Sequence, residues 1–418
     1  MIAVNNRKTQ VLVLGGGPAG ATAATLCAQA GLKTTLVERE RGPRFHIGES
    51  LMPDTYHTLR RLGVVDRMKG SRHTPKFSVQ FVTDTGKESQ PFYFFENNPH
   101  ECSQTWQVVR SEFDAMLVEN AASQGVTVLE GHIARDVHMD DGRATGACLH
   151  PKDGEAFDMA ADVVIDATGQ TALIANKLGL KKPDPLLRKS SIWTYYEGAA
   201  REPGRLDEGA TLVLATQGKK GWFWYIPLKD NIVSVGVVSG LDDLFPPGGS
   251  RDIAAIYQEQ LERCPAAKKR VMPGKQVGPH YTTKDFSYRC DQVAGDGWVL
   301  VGDAFGFLDP IYSSGVFLAL KSGEMAADAV IKGFSRGDLS ANSLGTWGPE
   351  YLKGMDRMKR LVYAFYEGFN FGAFIRKHPE MKRHLIDLLI GDLFKDSVDE
   401  IVAPLDAMRA EMASMAAV

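Results

Sequence analysis

The chain has 418 residues, which is long enough for two or three interleaved lobes around a large hydrophobic core. Its 44% hydrophobic and 24% charged residues are typical of a soluble globular protein, and a net charge of −3 gives no reason to expect a nucleic-acid partner. Five scattered cysteines, with no Cys-x-x-Cys pair, argue against a structural zinc site and a disulfide framework, so we expect no metal.

The amino-terminal region predicts a βαβ unit that binds a dinucleotide. A short apolar strand, residues 11–14, precedes Gly15-Gly16-Gly17-Pro18-Ala19-Gly20, an alanine-rich helix to about residue 30 and a second strand at 33–37. The Gly-x-Gly-x-x-Gly spacing permits a tight turn and lets a pyrophosphate lie on the helix amino terminus. Glu38 ends the second strand, ~20 residues further on, where a carboxylate meets a ribose hydroxyl. The pattern favours a nucleotide site over chance glycine packing.

The following elements alternate between helix and strand. In chain order they are a helix over 53–68, strands at 77–81 and 92–95, a helix over 111–122, and strands at 126–129 and 163–165. Residues 190–238 alternate in polarity and are rich in aromatic side chains, which predicts an antiparallel sheet. A helical, peripheral stretch at 248–275, a strand at 298–301, a long helix from residue 315 and helices beyond 345 complete the chain.

Inside the predicted antiparallel sheet lies Gly221-Trp222-Phe223-Trp224-Tyr225-Ile226-Pro227. Side chains at i and i+2 of an extended segment point to the same face, so the two indoles form one aromatic surface. Such a surface can be ordinary strand core, or it can be a wall that separates a cofactor from a substrate.

The distant Gly302-Asp303-Ala304 favours FAD over NAD as the dinucleotide. It follows an apolar strand, and the long flavin cofactor needs a second docking point, where Asp303 would accept from a ribityl hydroxyl. The alternative is a strand-to-helix turn with a capping aspartate. Arg110 either contacts the pyrophosphate or ribityl chain or forms a salt bridge at a helix start. A single dinucleotide fingerprint offers no second, stable NAD(P)H site.

Several of these motifs together resemble the FAD-binding monooxygenase-like superfamily, over roughly Val11 to Gly337. They are the glycine fingerprint, Arg110 in Val109-Arg110-Ser111-Glu112-Phe113-Asp114, Asp166-Ala167-Thr168-Gly169 and Gly302-Asp303-Ala304. Within it the chain looks most like the flavin-dependent halogenases, because Trp222–Pro227 matches their Trp-x-Trp-x-Ile-Pro signature. Gly48-Glu49-Ser50-Leu51-Met52-Pro53 and Asp309-Pro310-Ile311-Tyr312-Ser313-Ser314-Gly315-Val316 match two flavin-proximal loops of the phenol and pyrrole halogenases.

The resemblance implies an α/β fold with three parts. A Rossmann-like, glutathione-reductase/PHBH-like FAD-binding domain would comprise residues 1–75, 105–175 and 285–335. It would be interleaved with an antiparallel β-sheet substrate domain, residues 76–104 and 176–284. Residues 336–418 would form a C-terminal helical region.

The resemblance also implies a mechanism. Reduced FAD, supplied by a separate NAD(P)H flavin reductase, reacts with O2 to give the C4a-hydroperoxide, which oxidises chloride or bromide to hypohalous acid. Backbone N–H groups of Ser314 and Gly315 would hold the halide. The oxidant then passes through a tunnel to a lysine beside the substrate. In a flavin hydroxylase the substrate meets the hydroperoxide directly, an approach that Trp222 and Trp224 would obstruct.

The family lysine lies in a Lys-x-Gly-Ala-x-Phe context, and the corresponding segment is Lys76-Phe77-Ser78-Val79-Gln80-Phe81, with Ser and Val in place of Gly and Ala. A buried lysine has a lowered pKa, so Lys76 could form a chloramine or hydrogen-bond hypohalous acid. The alternative is a solvated lysine at a strand end.

The expected site is therefore the following. Lys76, Trp222 and Trp224 are the catalytic residues, and the cofactor-binding residues are Gly15, Gly17, Pro18, Ala19, Gly20, Glu38, Arg39, Ser50, Arg110, Asp303, Pro310, Gly315 and Val316. His46, His57 and His73 show no metal-ligand pattern, and we interpret them as surface or packing residues, with a catalytic base as the alternative. The substrate's general base is therefore not identified.

The leading hypothesis is halogenation of an electron-rich phenol or pyrrole, free or bound to a carrier protein. The runner-up is a geranylgeranyl-reductase-like enzyme acting on a lipid or isoprenoid double bond, and a third is a redox-sensing flavoprotein. The aromatic, basic segment 358–374 would pack on the FAD lobe, or serve as a lid, a carrier-docking face or an interfacial helix. No signal-peptide pattern and no apolar run of ~20 residues occurs, which predicts a cytoplasmic protein without a membrane partner.

Overall fold

The computed structural model describes residues 7–96, 98–284 and 286–416, and side chains as far as residue 412. The strands are β1 (Arg7–Leu14), β2 (Thr34–Glu38), β3 (Thr74–Lys76), β4 (Ser78–Val82), β5 (Phe92–Tyr93), β6 (Thr105–Gln107), β7 (Thr127–Glu130), β8 (His132–Asp140), β9 (Arg143–Pro151), β10 (Phe157–Asp166), β11 (Lys181–Pro183), β12 (Lys189–Glu197), β13 (Thr211–Ala215), β14 (Gly221–Pro227), β15 (Ile232–Gly240), β16 (Lys275–Lys284), β17 (Tyr288–Cys290), β18 (Ala294–Gly295), β19 (Trp298–Leu300) and β20 (Gly306–Phe307). The helices are α1 (Pro18–Gln29), α2 (Thr55–Arg61), α3 (Val65–Lys69), α4 (Arg110–Ser123), α5 (Leu173–Lys177), α6 (Leu241–Leu244), α7 (Ile253–Glu262), α8 (Pro265–Val271), α9 (Ser314–Arg336), α10 (Ala341–Leu344), α11 (Gly348–Tyr366), α12 (Phe371–Lys377), α13 (Lys382–Ile390) and α14 (Val402–Ala416).

The first sheet is the Rossmann-like sheet that the amino-terminal fingerprint predicts. Its strand order is β18-β19-β10-β1-β2-β7, and β19, β10, β1, β2 and β7 run parallel. Helix α1 packs between this sheet's first strands and the long helix α9. Residues 11–14 of β1 are fully buried, because helices or strands cover the central strand of a parallel sheet on every side.

The second sheet has the order β16-β12-β15-β14-β13-β4-β5 and is antiparallel except where β13 pairs with β4. Its strands fall in the ranges 76–104 and 176–284 predicted for the substrate domain, and those of the first sheet fall in the predicted FAD-binding ranges. The predicted α/β fold with an antiparallel sheet is therefore confirmed, while the domain boundaries themselves stay a prediction.

Some predicted elements differ from those observed. The predicted helix over 53–68 is two helices, α2 and α3, because the chain turns at Gly63 with φ +75°. The hairpin β8–β9 was not predicted, although its turn carries the signal: Asp141 and Gly142 both have positive φ, as an Asp-Gly hairpin turn requires. Strand β16 was also missed, and the predicted strand 92–95 ends at Tyr93.

The stretch 248–275 is helical, as predicted, but it is not merely peripheral. Helices α7 and α8 cover the outer face of the second sheet, where Tyr257 is 1% exposed and packs edge-on against Phe223. The sheet therefore has a buried layer on both faces, which is why every residue of β14 is buried.

The C-terminal helices close one side of the molecule. Met358 and Leu361 of α11 are fully buried in the main hydrophobic core, as the packing alternative for segment 358–374 predicts. Ile386 and Ile390 of α13 pack against Phe94. Among the residues described, no helix combines the length and the apolar character needed to span a membrane.

Candidate active site

A cavity of about 520 Å³ lies between the two sheets and collects most of the predicted site residues. This volume is in the ordinary range for a cofactor or ligand site. Its lining includes Gly15, Gly17, Pro18, Ala19, Glu38, Arg39, Ser50, Arg110, Trp222, Trp224, Asp303, Pro310, Gly315 and Val316. Of the predicted site residues, Gly20, Lys76 and Ser314 do not line it.

The fingerprint end of the cavity has the geometry of a phosphate cradle. Gly17 caps α1 in an extended conformation, so the first N–H groups of that helix face the cavity. Gly20 lies behind the loop, where a Cβ atom would come within 2.0 Å of the Gly15 carbonyl oxygen, and its role is close packing. Glu38 accepts hydrogen bonds from the N–H groups of Gly16 at 2.8 Å and Glu40 at 3.0 Å, which fixes its carboxylate at the cavity edge.

Gly15 is required by both its backbone angle and its surroundings. Its φ is +109°, and a Cβ atom there would lie 2.2 Å from the carbonyl oxygen of Ala167. We expect Gly15→Ala to lose FAD binding by at least tenfold, because the loop must shift away from the cofactor. Titration of the apoprotein with FAD, followed by flavin fluorescence, measures this. Gly31→Ala is the matched control, since Gly31 also has a positive φ, +84°, but no atom lies within 4 Å of where its Cβ atom would be. An equal loss of FAD affinity in both variants would contradict the steric explanation.

Arg110 and Asp303 border the middle of the cavity. Arg110 is 5% exposed and forms a two-pronged ion pair with Asp114, at 2.7 and 2.9 Å, and donates to the carbonyl oxygens of Ile47 and Gly48. It therefore combines the two predicted alternatives: a salt bridge at a helix start and a position on the cavity. Asp303 also lines the cavity, and burial, partly offset by Arg110, raises the pKa of its carboxyl to about 6.

Trp222 and Trp224 form one wall of the cavity. Both indoles point to the face of β14 opposite Phe223 and Tyr225, and their ring centroids are 6.4 Å apart. Trp222 Nε1 donates to the Tyr366 hydroxyl at 3.0 Å, and Trp224 Nε1 donates to Ser234 Oγ at 3.1 Å. Each large ring is therefore held by a hydrogen bond as well as by packing.

Gly236 is a wall residue that the sequence analysis missed. It pairs with Trp224 across β14 and β15, and a Cβ atom there would lie 2.2 Å from the Trp224 ring. The available signal was a lone glycine among the β-branched residues of a strand, which often marks a close approach of another group.

Lys76 is buried, which contradicts the alternative of a solvated lysine at a strand end. Its side chain is 4% exposed, and Nζ donates to Ser50 Oγ at 2.8 Å and to the Leu51 carbonyl oxygen at 3.0 Å. Nζ also lies 5.5 Å from the centre of the Phe94 ring. Burial lowers the pKa of Lys76 from 10.5 to about 7.

Ser50 connects Lys76 to the cavity. Its hydroxyl lines the cavity and lies 2.9 Å from Thr211 Oγ1, which in turn accepts from Gln107 Nε2 at 2.8 Å. Thr211 and Gln107 were not predicted, because they come from β13 and β6, far from Lys76 in sequence. Gln107 and Thr211 hold the Ser50 hydroxyl in place, and Ser50 in turn orients the amine of Lys76.

The loop before α9 brings a helix amino terminus to the cavity. Ser313 adopts φ +59° and gives α9 no side-chain cap, so the first N–H groups of a 23-residue helix, beginning at Ser314 and Gly315, have no partner within the helix. Such a helix terminus attracts anions. Gly315 lines the cavity, whereas the Ser314 side chain is buried behind it.

Two further polar side chains, Glu49 and Trp193, line the cavity. Oε1 of Glu49 accepts from the Tyr195 hydroxyl at 2.8 Å. Burial raises the pKa of Glu49 to about 7, and hydrogen bonds with Ser234 and Tyr195 partly offset that rise. The open helix terminus of α1, the Gly15 turn that admits no Cβ atom and this polar lining fit a bound FAD.

The three histidines considered as candidate bases do not lie together at the cavity. His46 lines the cavity, but His57 and His73 do not. Among the residues described, no group of three or more His, Cys, Asp or Glu side chains could hold a metal ion.

Comparison with known proteins places the chain in a family. Residues 8–324 match the model of the FAD binding domain family. A 1H-pyrrole-2-carbonyl-[peptidyl-carrier protein] brominase of Pseudoalteromonas luteoviolacea is 31% identical over 389 residues, 92% of each chain. The corresponding chlorinase of Pseudomonas fluorescens is 29% identical over 97% of this chain and 93% of its own.

A solved structure has the same fold as this protein along nearly the whole chain. The flavin-dependent brominase Bmp2 superposes with a TM-score of 0.85 at 27% identity, covering 97% of this chain and 100% of that one. These relatives are halogenases, so the geranylgeranyl-reductase alternative is not favoured. The protein belongs to the FAD-binding domain family and, within it, to the FAD-using flavin-dependent halogenases, which halogenate aromatic compounds.

Proposed function

We propose that this halogenase acts on an electron-rich phenol or pyrrole, free or tethered to a carrier protein, and that Lys76 delivers the halogen. The observation that carries the proposal is a buried lysine whose amine donates to Ser50 and to a backbone carbonyl oxygen, joined through Ser50 to a cavity walled by Trp222 and Trp224. A separate NAD(P)H flavin reductase would supply the FADH2.

When bound in its reduced form, FAD supplies the two electrons that let O2 oxidise a halide. With X⁻ as halide and ArH as aromatic, FADH2, O2, X⁻, H⁺ and ArH become FAD, ArX and two molecules of water. The N–H groups of Ser314 and Gly315 are suited to hold X⁻, because the first N–H groups of a helix have no partner within it and this helix terminus borders the cavity. The remaining cofactor-binding assignments rest on the cavity lining described above.

Lys76 can act in either of two ways. With its pKa near 7, part of the enzyme holds a neutral amine at neutral pH. That amine can attack the halogen of hypohalous acid: an N–X bond forms, the O–X bond breaks, and hydroxide leaves with the amine proton as water. The aromatic ring then takes the halogen from nitrogen and loses its C–H proton, while the nitrogen gains a proton and becomes the free amine again. Alternatively, the protonated amine donates a hydrogen bond to hypohalous acid and makes its halogen more electrophilic.

The wall formed by Trp222 and Trp224 supports halogenation rather than hydroxylation. Both indoles are nearly inaccessible to solvent and border the cavity, so a bulky acceptor cannot approach through them. A small oxidant can be retained on the cavity side until it reaches Lys76. The pyrrole-2-carbonyl carrier-protein substrates of the two relatives named above support a tethered pyrrole.

The experiment uses purified protein, FAD, a separate flavin reductase, NADH, bromide and a panel of phenols and pyrroles, free and carrier-bound. We expect a product with the bromine isotope doublet, formed only when bromide and O2 are both present. Mass spectrometry of the small molecules and of the intact carrier protein identifies which form is used. Oxygenated product without bromine, or reduction of an isoprenoid in the absence of O2, would contradict the proposal.

A further inference from the structure

Tyr366 connects the C-terminal helical region to the cavity. It is the last residue of α11 and lies outside the residues 8–324 that match the FAD-binding family. Its hydroxyl accepts from Trp222 Nε1 at 3.0 Å and donates to Asp309 Oδ2 at 3.0 Å. One phenol group therefore links β14 to the loop that leads into α9.

The two partners of Tyr366 are themselves buried. Trp222 is 2% exposed and Asp309 is 1% exposed, so neither group has ready access to water. The other oxygen of Asp309 accepts from the N–H of Ile311 at 2.9 Å and so holds the following turn. Nearby, Phe365 contacts the Trp222 ring edge-on, and Lys189 Nζ lies 4.0 Å from the centre of the Tyr366 ring.

The directions of these two hydrogen bonds require a hydroxyl at this position. An indole N–H can only donate and an ionised carboxylate can only accept, so a group between them must accept and donate at once. A hydroxyl does both. Without it, two buried polar groups lose their partner, and water must enter or the indole must turn to satisfy them.

We propose that Tyr366 is a positioning residue that fixes the Trp222 indole against the Asp309 loop, and that this contact keeps the oxidised halogen inside the cavity until it reaches the acceptor. The inference rests on the proposed role of Trp222 as part of the cavity wall. It extends the active site into α11, and it predicts that the C-terminal region sets the efficiency of halogen transfer rather than the affinity for FAD.

The test replaces Tyr366 by phenylalanine in the full chain. It measures the division of the oxidised halogen between the aromatic acceptor and escape into solution. Halogenated aromatic product is counted per FADH2 consumed, and escaping oxidant is trapped with an excess of a 1,3-diketone. We expect Tyr366→Phe to lower product per FADH2 about three- to tenfold, the equivalent of about one hydrogen bond, with a matching rise in trapped halogen. FAD affinity should stay within twofold of wild type.

The control variant is Tyr363→Phe. Tyr363 lies one turn earlier on α11, and its hydroxyl donates to Asp184 Oδ2 at 2.7 Å, away from the cavity. This variant should divide the halogen as wild type does. The inference would be overturned by an unchanged division in Tyr366→Phe, by an equal change in both variants, or by loss of FAD binding in Tyr366→Phe.

A double variant tests whether Tyr366 acts through Trp222. In a Trp222→Phe background, Tyr366→Phe should change the division no further, whereas an additive change would overturn the proposed route. The trapping assay needs only FADH2, O2 and bromide, so it does not depend on finding the natural aromatic. Trapped halogen from wild type without any halogenated phenol or pyrrole would contradict the proposed substrate class. An unchanged division in Tyr366→Phe, measured on an aromatic that wild type halogenates, would contradict the role of Tyr366.

Discussion

Lys76→Met should abolish halogenated product, by at least a hundredfold, while FAD stays bound. Methionine has the length and apolar stem of lysine but no amine to carry or activate the halogen, and Lys76 lies outside the lining of the cofactor cavity. Product is measured by mass spectrometry under saturating reductase, and FAD binding by fluorescence titration. We also expect oxidised halogen to be released and trapped by a 1,3-diketone, since its formation precedes the lysine step.

The control for this prediction is Lys69→Met. Lys69 is a half-exposed lysine paired with Glu101 at the surface, and its loss should leave product formation unchanged. Undiminished halogenation by Lys76→Met would remove Lys76 from the mechanism. Loss of FAD in the same variant would show instead that the amine supports the cofactor site.

The same substitution should stabilise the fold near neutral pH. Since the pKa of Lys76 falls from 10.5 to about 7 on folding, the unfolded chain binds an additional proton between these values, and wild-type stability rises with pH across that window. Methionine removes this dependence. The variant's gain in free energy of unfolding over wild type, on the order of a few kcal/mol, is complete below about pH 7 and disappears as the pH rises towards 10.5. Denaturant unfolding at pH 7 and pH 9.5 measures it; a difference independent of pH would contradict the assignment of the buried amine.

Trp224→Leu should lower halogenated product per FADH2 at least tenfold. The smaller side chain opens the wall beside Trp222 and leaves Ser234 without its indole donor, so water and acceptor gain access to the cavity. We expect the consumed O2 to appear mainly as hydrogen peroxide, with oxygenated aromatic as a minor product. Peroxide, trapped halogen and aromatic products are quantified from the same reaction.

Phe223→Leu is the matched control on the same strand. Phe223 is fully buried on the opposite face, against Tyr257, and does not line the cavity. Both variants should lose stability by about 2 kcal/mol, because each removes buried aromatic surface. Only Trp224→Leu should change the division of products. The same division in both variants would mean that the indole wall has no specific role.

The parts of the site predicted from sequence are those whose geometry is local. A strand, a glycine turn and a helix follow one another within residues 7–29, so the backbone alone places the phosphate cradle. The two indoles share a face because successive side chains of any strand alternate. FAD and the halogenase family followed from such short segments, as did Arg110, which lines the cavity in its predicted position.

The rest of the site depends on contacts between distant segments, which no local pattern encodes. Burial lowers the pKa of Lys76 to about 7, and Ser50, Leu51 and Phe94, which lie around the amine, come from other segments of the chain. The sequence alone also permitted a solvated lysine at a strand end. Gly236 lies against the Trp224 ring because β15 pairs with β14 in a register that sets these two residues opposite each other.

By itself, then, the sequence determined the dinucleotide turn and the shared face of the tryptophans, because periodicity and turn chemistry act over a few residues. Its motifs indicated FAD and the halogenase family through their resemblance to known proteins. The tertiary structure decided the parallel pairing of β4 with β13, the burial of Lys76 and the contact of Tyr366 with Trp222 and Asp309. Burial and hydrogen-bond partners are properties of the packed chain, since the residues that exclude water from a side chain come from any part of it.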